Sequence, residues 1–416
     1  MREMKDSGLP WLGLVPASWK YIKLKSYYAF EKGKNAQKYT VDYVGQNEGI
    51  YPVYSGQTEN EGIMGLIDTF DYDVDECLFS TTVGAKVMTP RVLSGRFSLS
   101  QNCLIMKQIK PCNNHYMYYY LHPLFDYEKG SIPSYMQPSL RVDDLKKYGF
   151  YIPQLSEQEI IADFIDTKCS EIDALTEDIQ SEIDTLEAYK RSIITEAVTK
   201  GLDKNVEMKD AGIEWVGEIP SNWEVHPVYC YFSERKNKNY ALQEQNLLSL
   251  SYGKIIRKDI DTVGGLLPAS FNTYNVVEEG DIIIRPTDLQ NDKRSLRTGL
   301  VKEKGIITSA YIDLAPKRGV NSAYFHYLLH SFDIQKVFYN MGNGVRQGLN
   351  YSEFSKLMVF APSSTEQKAI VEYLNTKCTE IDEIISQKKK QLEVLTDYKK
   401  SLIYEYITGK KEVPAV

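Results

Sequence analysis

An internal repeat constrains this sequence more than any other feature. Residues 4–19 recur as residues 208–223 at an offset of 204, with 8 of 16 positions identical. Residues 157–192 match residues 366–401 at an offset of 209. Chance does not give two such matches, so the chain is predicted to contain two copies of one structural unit. Its 416 residues allow roughly two to four domains.

Each copy has the same order of segments. An opening segment containing Trp, Gly and Pro is followed by an interior of about 130 residues with mixed strand and helix signals, and then by a terminal stretch of about 45 residues. Between the matched ends the interiors diverge. We call the opening segments and terminal stretches the frame. We infer that the frame has the same function in both copies, whereas the two interiors have different functions.

The first terminal stretch is predicted to be a long helix, because residues 156–200 lack Pro and Gly. Apolar residues recur every seven positions at Ile165, Ile172, Ile179, Leu186 and Ile193, and the intervening seam positions are expected at Cys169, Leu175, Ile183 and Tyr189. We expect a capping box at Ser156 and Glu159 and a helix end at Gly201.

The second terminal stretch repeats this pattern with one polar interruption. Its seam is expected at Leu374, Ile381, Leu395 and Leu402, with a cap at Thr365 and an end at Gly409. Lys388 occupies a seam position, which predicts a local polar contact or a shifted register. A heptad pattern of this length needs a helical partner, and the other copy supplies one. The alternative is that each helix packs only on its own domain.

These patterns predict an α+β fold with a pseudo-twofold internal repeat. We expect two globular domains, residues 1–155 and 201–364, separated by two long antiparallel coiled-coil helices, residues 156–200 and 365–416. The helices would then act as a spacer between two binding domains.

The distribution of charge decides whether a nucleic-acid partner is possible. The net charge of −7 argues weakly against one, but residues 156–200 alone carry −8. Residues 1–155 and 201–364 together carry +1, so these domains can bind phosphate if their basic residues cluster. The 31 tyrosines are typical of a binding surface, with a tyrosine-rich core as the alternative.

The sequence lacks recognisable catalytic and metal-binding motifs. It has no P-loop, dinucleotide-binding, zinc-protease or nucleophile-elbow pattern, and the Ser-x-x-Lys match at Ser251 has no partner motifs. The six cysteines form no Cys-x-x-Cys pair and are expected to be reduced packing residues. Core or capping positions are expected for His115, His122, His326 and His330. We therefore expect no enzyme, no catalytic residue, no metal and no cofactor.

The sequence also predicts where the chain resides. No run of 18 apolar residues and no secretory leader is present, so we expect a cytoplasmic protein without a membrane partner.

Polar loops that follow apolar strands are the candidate binding sites. Residues 280–284 predict a buried strand leading into residues 285–297, a loop dense in Arg, Lys, Asn and Gln. Paired hydrogen bonds from Arg to guanine, or from Asn or Gln to adenine, are typical of DNA reading. A solvated turn is the alternative for any single residue. The candidates are Ser55, Gly56, Gln57, Thr82, Lys86, Tyr135 and Gln137 in the first interior, and Arg285, Thr287, Asn291, Lys293, Arg294, Arg346, Gln347 and Asn350 in the second.

Over essentially its whole length the sequence resembles the DNA-specificity subunits of type I restriction-modification systems. The resemblance is carried by motifs that each occur twice: Gly-x-x-Trp-x-Gly-x-x-Pro-x-x-Trp in the opening segments, Pro-x-x-x-Glu-Gln at the helix starts and Thr-Lys-Cys-x-Glu-Ile-Asp within the helices. It implies two target recognition domains, residues 20–152 and 224–361, each reading one half of a split site on double-stranded DNA, with the paired helices fixing the half-site spacing.

The resemblance also implies partners. Two methyltransferase (modification) subunits would bind S-adenosylmethionine and methylate adenine, and ATP-driven restriction subunits would join the complex, leaving this chain without an active site. One departure concerns Gln137, which follows Met136, whereas Gln347 follows Arg346. The alternative function is a two-headed coiled-coil scaffold that binds protein or glycan.

Overall fold

The computed structural model describes residues 2–56, 60–84, 86–133, 135–260, 270–287, 289, 296–337, 339, 341 and 348–414. Backbone contacts divide the chain into two compact units. Unit 1 comprises residues 1–179 and 390–416, and unit 2 comprises residues 180–389. The division falls within both long helices, so each unit contains one end of each helix.

Unit 1 contains ten strands and three short helices among its described residues. The strands are β1 (Met4–Asp6), β2 (Leu14–Pro16), β3 (Lys20–Lys23), β4 (Tyr28–Lys32), β5 (Glu48–Tyr54), β6 (Ile63–Ile67), β7 (Tyr72–Thr81), β8 (Pro90–Leu99), β9 (Cys103–Gln108) and β10 (Gly149–Ile152). The helices are α1 (Val41–Gln46), α2 (Asn114–Gly130) and α3 (Val142–Lys147), and the long helix α4 (Leu155–Lys200) begins here.

Unit 2 contains the following elements among its described residues. The strands are β11 (Met208–Asp210), β12 (Glu218–Pro220), β13 (Glu224–Pro227), β14 (Phe232–Glu234), β15 (Leu248–Ser251), β16 (Lys254–Arg257), β17 (Asn275–Val277), β18 (Ile282–Ile284), β19 (Thr298–Leu300), β20 (Gly305–Ile307), β21 (Ile312–Pro316) and β22 (Met358–Ala361). The helices are α5 (Ser322–Ile334), α6 (Tyr351–Phe354) and the start of the long helix α7 (Ser364–Ile407).

The main sheet of unit 1 has six strands in the order β4-β9-β7-β8-β5-β6. Its central strand β7 is buried on both faces. Successive side chains of a strand point to opposite sides, so alternate residues of β7 enter two different cores. Leu78 packs towards α2, in one core with Tyr116 and Tyr120, whereas Cys77 and Phe79 pack into a second core on the other face. Tyr116, Tyr119 and Tyr120 of α2 therefore belong to the core, as the alternative interpretation of the tyrosine content predicts, whereas Tyr127 is exposed.

Unit 2 places a smaller sheet in the equivalent position, with four strands in the order β14-β21-β18-β19. Its strand β18 is also buried on both faces. Ile282 and Ile284 pack with Tyr324 of α5, while Ile283 packs with Leu248 and the short strands behind it. Separate two-stranded sheets, β15-β16 and β17-β20, take the place of the other strands of unit 1.

The opening segments fold into the same hairpin in both units. Met4 pairs with Pro16 in the first and Met208 with Pro220 in the second, in the same register. The motif glycines have positive φ angles, 66° at Gly13 and 68° at the equivalent Gly217. Residues other than glycine rarely adopt such angles. The repeat in the sequence is thus a repeat in structure.

The Gln of the Glu-Gln pair at each helix start hydrogen-bonds to the proline that precedes the helix. The Gln158 side-chain amide donates to the Pro153 carbonyl at 3.0 Å, and Gln367 donates to Pro362 at 2.9 Å. Both predicted caps were two positions late. Because α4 begins at Leu155, Ser156 lies inside its first turn.

The cap of the second helix is also corrected. Helix α7 begins at Ser364, and the hydroxyl of Ser363 accepts from the Glu366 backbone N–H at 3.3 Å. The predicted cap Thr365 therefore lies within the helix. The predicted glycines do end the long helices in left-handed conformations, with φ of 74° at Gly201 and 71° at Gly409.

The helix seam follows a strict alternation of three and four residues, which corrects two predicted seam positions. Leu175 is 47% exposed and Tyr189 is 53% exposed. The partly buried seam positions are instead the next residues along, Thr176 and Lys190. Spacing along the helix, rather than the apolar character of one residue, decides which side chain faces the partner helix.

Within each unit the two helix segments pair antiparallel. In unit 1 the rings of Phe164 and Tyr406 lie 4.6 Å apart, and Lys399 donates to Asp173 at 2.6 Å. In unit 2 Lys190 donates to Asp382 at 2.6 Å. Asp382 and Lys399 are the repeat equivalents of Asp173 and Lys190, so the duplicated motif forms the same ion pair twice.

The polar contact predicted at Lys388 is present in unit 2. Its ammonium donates to the carboxylate of Glu182 on the facing helix segment. A seam lysine is therefore accommodated by a charged partner and does not shift the register.

Candidate nucleic-acid interface

Three loops that the sequence predicted separately lie together in unit 1. The Thr82 carbonyl accepts from the Leu140 N–H at 2.8 Å, and Val83 forms an antiparallel bridge with Ser139. A Cβ added at Gly56 would lie 3.5 Å from the Val83 carbonyl oxygen. The loops after β5, after β7 and before α3 are thus adjacent, although they are far apart in sequence.

The predicted residues within these loops differ in accessibility. Ser55 and Thr82 are buried, and the Ser55 N–H and hydroxyl both donate to the Gly62 carbonyl. Lys86 and Gln137 are exposed, and Tyr135 is 86% exposed. Gln57 lies outside the described residues. The exposed members of the cluster face solvent, whereas Ser55 hydrogen-bonds within its own loop.

A polar cleft of about 690 Å³ lies beside this loop cluster. It is lined by residues 32–38, which follow β4, by Thr82 and by residues 100–103, which form the turn between β8 and β9. Asn102 at this turn has a φ of 67°, and its carbonyl accepts from the Thr82 N–H at 2.8 Å. The cleft is therefore continuous with the loop that holds Thr82.

Among the described residues, three lysines and no Asp or Glu side chain line the cleft, so its lining is basic. Lys34 lies over the Tyr72 ring at 4.8 Å, and Lys38 lies over the Tyr43 ring at 4.7 Å. The nearby Asp71 carboxylate accepts from Asn35 at 2.6 Å and from Tyr39 at 2.8 Å. A neighbouring hydrogen bond to Tyr43 raises the pKa of Lys38, so its ammonium stays charged.

Sequence reasoning missed residues 32–38 as a candidate site. The available signal was three lysines within the seven residues 32–38 at the end of β4 and just after it. A basic run after a strand is typical of phosphate contact, but equally of a solvated loop. Only the fold shows that it borders the cleft.

Unit 2 brings together two further predicted loops. The Arg285 N–H donates to the Arg297 carbonyl at 2.8 Å, and the Leu349 N–H donates to the Pro286 carbonyl at 3.0 Å. Arg285 and Thr287 are partly exposed and lie in the same loop cluster as Asn350. The Asn350 side-chain oxygen caps α6, accepting from the Glu353 N–H at 3.1 Å, which gives this residue a structural role.

Arg297, at the end of the arginine-rich loop, belongs to the interior of unit 2. It is fully buried, and its guanidinium donates to the Thr287 carbonyl and, at 2.9 Å, to the Tyr339 hydroxyl. The Tyr339 hydroxyl in turn donates to Asp333 at 3.1 Å. This network holds the base of the loop that carries Arg285 and Thr287. The predicted residues Asn291, Lys293, Arg294, Arg346 and Gln347 lie outside the described residues.

Burial shifts the pKa of several histidines and cysteines in the described part of the chain, whereas the partly exposed His115 contacts Asp166 at 2.9 Å. Burial lowers the pKa of His326 to about 3 and that of His122 and His330 to about 4. Burial raises the pKa of the Cys77 and Cys103 thiols to about 12. The described residues contain no group of three or more His, Cys, Asp and Glu side chains placed to hold a metal ion.

The Ser-x-x-Lys match is explained by a hairpin. Ser251 pairs with Lys254 across the two-residue turn between β15 and β16, with φ of 45° at Tyr252 and 77° at Gly253. Positive φ at both central positions is the geometry of a tight hairpin turn. Among the described residues, no helix combines the length and apolar character needed to cross a membrane.

Comparisons with known proteins agree with this architecture. The family model for the type I restriction modification DNA specificity domain matches residues 16–185. The type I restriction enzyme MjaVIII specificity subunit of Methanocaldococcus jannaschii is 24% identical over 429 residues, covering 96% of this chain and 94% of its own. The type I restriction enzyme MpnII specificity subunit of Mycoplasma pneumoniae is 31% identical over 150 residues, covering 35% of this chain and 43% of its own.

A solved structure shares the fold. A chain from "Structural basis underlying complex assembly and conformational transition of the type I R-M system" aligns with a TM-score of 0.66 at 10% identity, covering 95% of this chain and 99% of that one. The duplicated frame shows that the chain is built from two related units, each with one cluster of polar loops. Residues 16–185 match the DNA specificity domain, and over nearly its whole length the chain is similar to specificity subunits of type I restriction enzymes.

Proposed function

We propose that each unit reads one half of a split, asymmetric DNA site, and that the chain itself has no catalytic site. One observation carries this proposal: the frame is the same in both units, whereas the interiors differ. Unit 1 builds its loops on a six-stranded sheet, and unit 2 builds them on a four-stranded sheet with separate small sheets. Different scaffolds present different side chains to the base edges, so the two half-sites would differ in sequence.

The duplicated frame also supports the proposed partners. A surface that occurs twice on one chain offers two equivalent binding sites to copies of one partner. Two methyltransferase subunits, which bring S-adenosylmethionine, would occupy these surfaces and methylate an adenine in each half-site. Restriction subunits would then associate with this complex.

The test is single-molecule methylome sequencing of a methylation-free host. The host would express this chain together with the methyltransferase encoded beside it. We expect a split, asymmetric motif with methylated adenines, which disappears when this chain is omitted. A motif that persists without the chain, or that is palindromic, would contradict the proposal.

Salt dependence distinguishes the proposal from a scaffold that binds protein or glycan. DNA binding by the complex should weaken markedly between roughly 50 and 200 mM salt, because phosphate contacts release counterions. Affinity for duplex DNA that is unchanged over this range would favour the scaffold instead.

A further inference from the structure

Both units carry the same short basic segment at the end of the first strand of the main sheet. Residues 32–35 read Lys-Gly-Lys-Asn and residues 236–239 read Lys-Asn-Lys-Asn, at the offset of 204 that also relates the opening segments. Strands β4 and β14, which precede these segments, are both edge strands of their sheets. We call residues 32–35 and 236–239 the Lys-Asn segments.

The backbone turns in the same way after each Lys-Asn segment. The Lys38 N–H donates to the Asn35 carbonyl at 2.8 Å, and the Leu242 N–H donates to the Asn239 carbonyl at 2.9 Å. These two hydrogen bonds join residues that are equivalent at the offset of 204. The same turn hydrogen bond therefore occurs in two interiors whose remaining strands differ, although Lys34 lies within the turn and its equivalent Lys238 forms an isolated β-bridge with Asn275.

The second lysine of each segment is held in the same manner. The Lys34 ammonium donates to the Asp71 carbonyl at 3.3 Å, just before β7, and the Lys238 ammonium donates to the Thr273 carbonyl at 3.0 Å, just before β17. An ammonium has three donors, so this single bond positions the group and leaves donors for a ligand.

The charges of these lysines are largely uncompensated. Among the described residues, Lys32, Lys34 and Lys238 take part in no ion pair within 4.0 Å. Lys236 lies 2.8 Å from Glu234, but its side chain is 70% exposed. In unit 1 the segment lines the basic cleft next to Thr82, which places positive charge beside the candidate base-reading loops.

We propose that the two Lys-Asn segments bind the phosphate backbone of the DNA, one in each half-site. This inference rests on the proposed function. The phosphates of DNA are the same whatever the base sequence, so a segment that binds them can be the same in both units. Loops that read bases must differ between the units if the half-sites differ. Basic segments that recur within two otherwise different interiors are what this separation of phosphate binding from base reading requires.

The test uses the full chain in complex with its methyltransferase partner. Two double variants are compared, Lys32→Ala with Lys34→Ala and Lys236→Ala with Lys238→Ala. Affinity for two fluorescent 40-base-pair duplexes, one with the methylated motif and one scrambled, is measured from about 50 to 200 mM salt. Each lost phosphate contact should reduce the log–log salt slope by about 0.9, so each double variant should reduce it by about 1.8 on both duplexes.

A matched control removes two lysines elsewhere. Lys146→Ala with Lys147→Ala removes the same charge from α3 of unit 1, where each lysine lies within 4 Å of an aspartate. This variant should leave the slope close to that of the parent. The double variants Lys32→Arg with Lys34→Arg and Lys236→Arg with Lys238→Arg keep the charge and should retain most of the slope.

The outcomes separate this inference from the proposed function. A slope that matches the control overturns the inference, and so does a change in the methylated motif, since that would make the lysines base readers. Either result leaves the proposed function intact if the parent complex still yields a chain-dependent motif. A parent complex without such a motif contradicts the proposed function itself.

Discussion

The buried carboxylate of Asp313 in unit 2 should make stability depend on pH. Asp313 is 1% exposed, and neither of its oxygens has a hydrogen-bond partner among the described residues. The equally buried Asp281 beside it takes both bonds of Arg235, at 2.8 and 3.0 Å, while Arg235 approaches Asp313 only to 4.0 Å. Burial, and then the charge of Asp281, raise the pKa of Asp313 to about 8.

The sign follows from proton linkage. The folded chain holds a proton on Asp313 that the unfolded chain releases above a pH of about 4. This group's contribution to stability is therefore fully present at low pH and is lost as pH rises towards 8. The slope is about 1.4 kcal/mol per pH unit, so the loss between pH 5 and pH 7 is about 2.7 kcal/mol.

Asp313→Asn removes this proton uptake while keeping the shape of the side chain. We expect the unfolding temperature of the variant, relative to the parent chain, to rise by roughly 5–10 °C between pH 5 and pH 7. Thermal unfolding of the full chain followed by circular dichroism at several pH values measures this difference. The control, Asp397→Asn, changes an exposed aspartate on α7 and should show no such trend. Parallel curves for Asp313→Asn and the parent would refute the reasoning.

Four further predictions concern other parts of the chain. Arg285→Ala should cost about 1–3 kcal/mol in binding and relax one base position in one half of the methylated motif, and a uniform loss on all sequences would reassign it to phosphate. A double-mutant cycle on Asp173 and Lys399, whose side chains are 56% and 31% exposed, should give a coupling of about 0.2–1 kcal/mol in urea unfolding. Gly217→Ala should lower stability by about 1–2 kcal/mol, since a positive φ and not crowding is the obstacle. A chain ending at residue 200 lacks the α7 segment that completes the unit 1 core, so it should dimerise and direct a palindromic motif, and monomeric binding of an asymmetric site would contradict this.

Much of the fold could be predicted from sequence because it is encoded in local patterns. The long helices and their glycine ends follow from repeats, periodicity and residues that tolerate positive φ. The hairpins of the opening segments were not predicted. A polar contact or a shifted register at Lys388 was predicted from one polar residue in an apolar seam, and the structure shows the polar contact, with Glu182. The exact seam was not predicted, since Leu175 and Tyr189 are apolar or aromatic but one position out of step.

The candidate interface, like the fold, could be predicted from the sequence only in part. The sequence predicted polar loops after apolar strands, and the structure brings the loops of Gly56, Thr82 and Gln137 into one cluster. The sequence could not show that Arg297 is buried, because its burial depends on residues distant along the chain. Nor could the sequence show that Asn350 caps a helix, because this role depends on the exact start of a short helix.

Residue order alone indicates a duplicated frame around two unlike interiors, because duplication and heptad spacing can be read directly from it. The position of the basic residues 32–38 beside Thr82 and Asn102 follows only from the fold, because the order of strands in the sheets brings these segments together. Strand order depends on packing between segments that are far apart in the chain, and no local pattern records it.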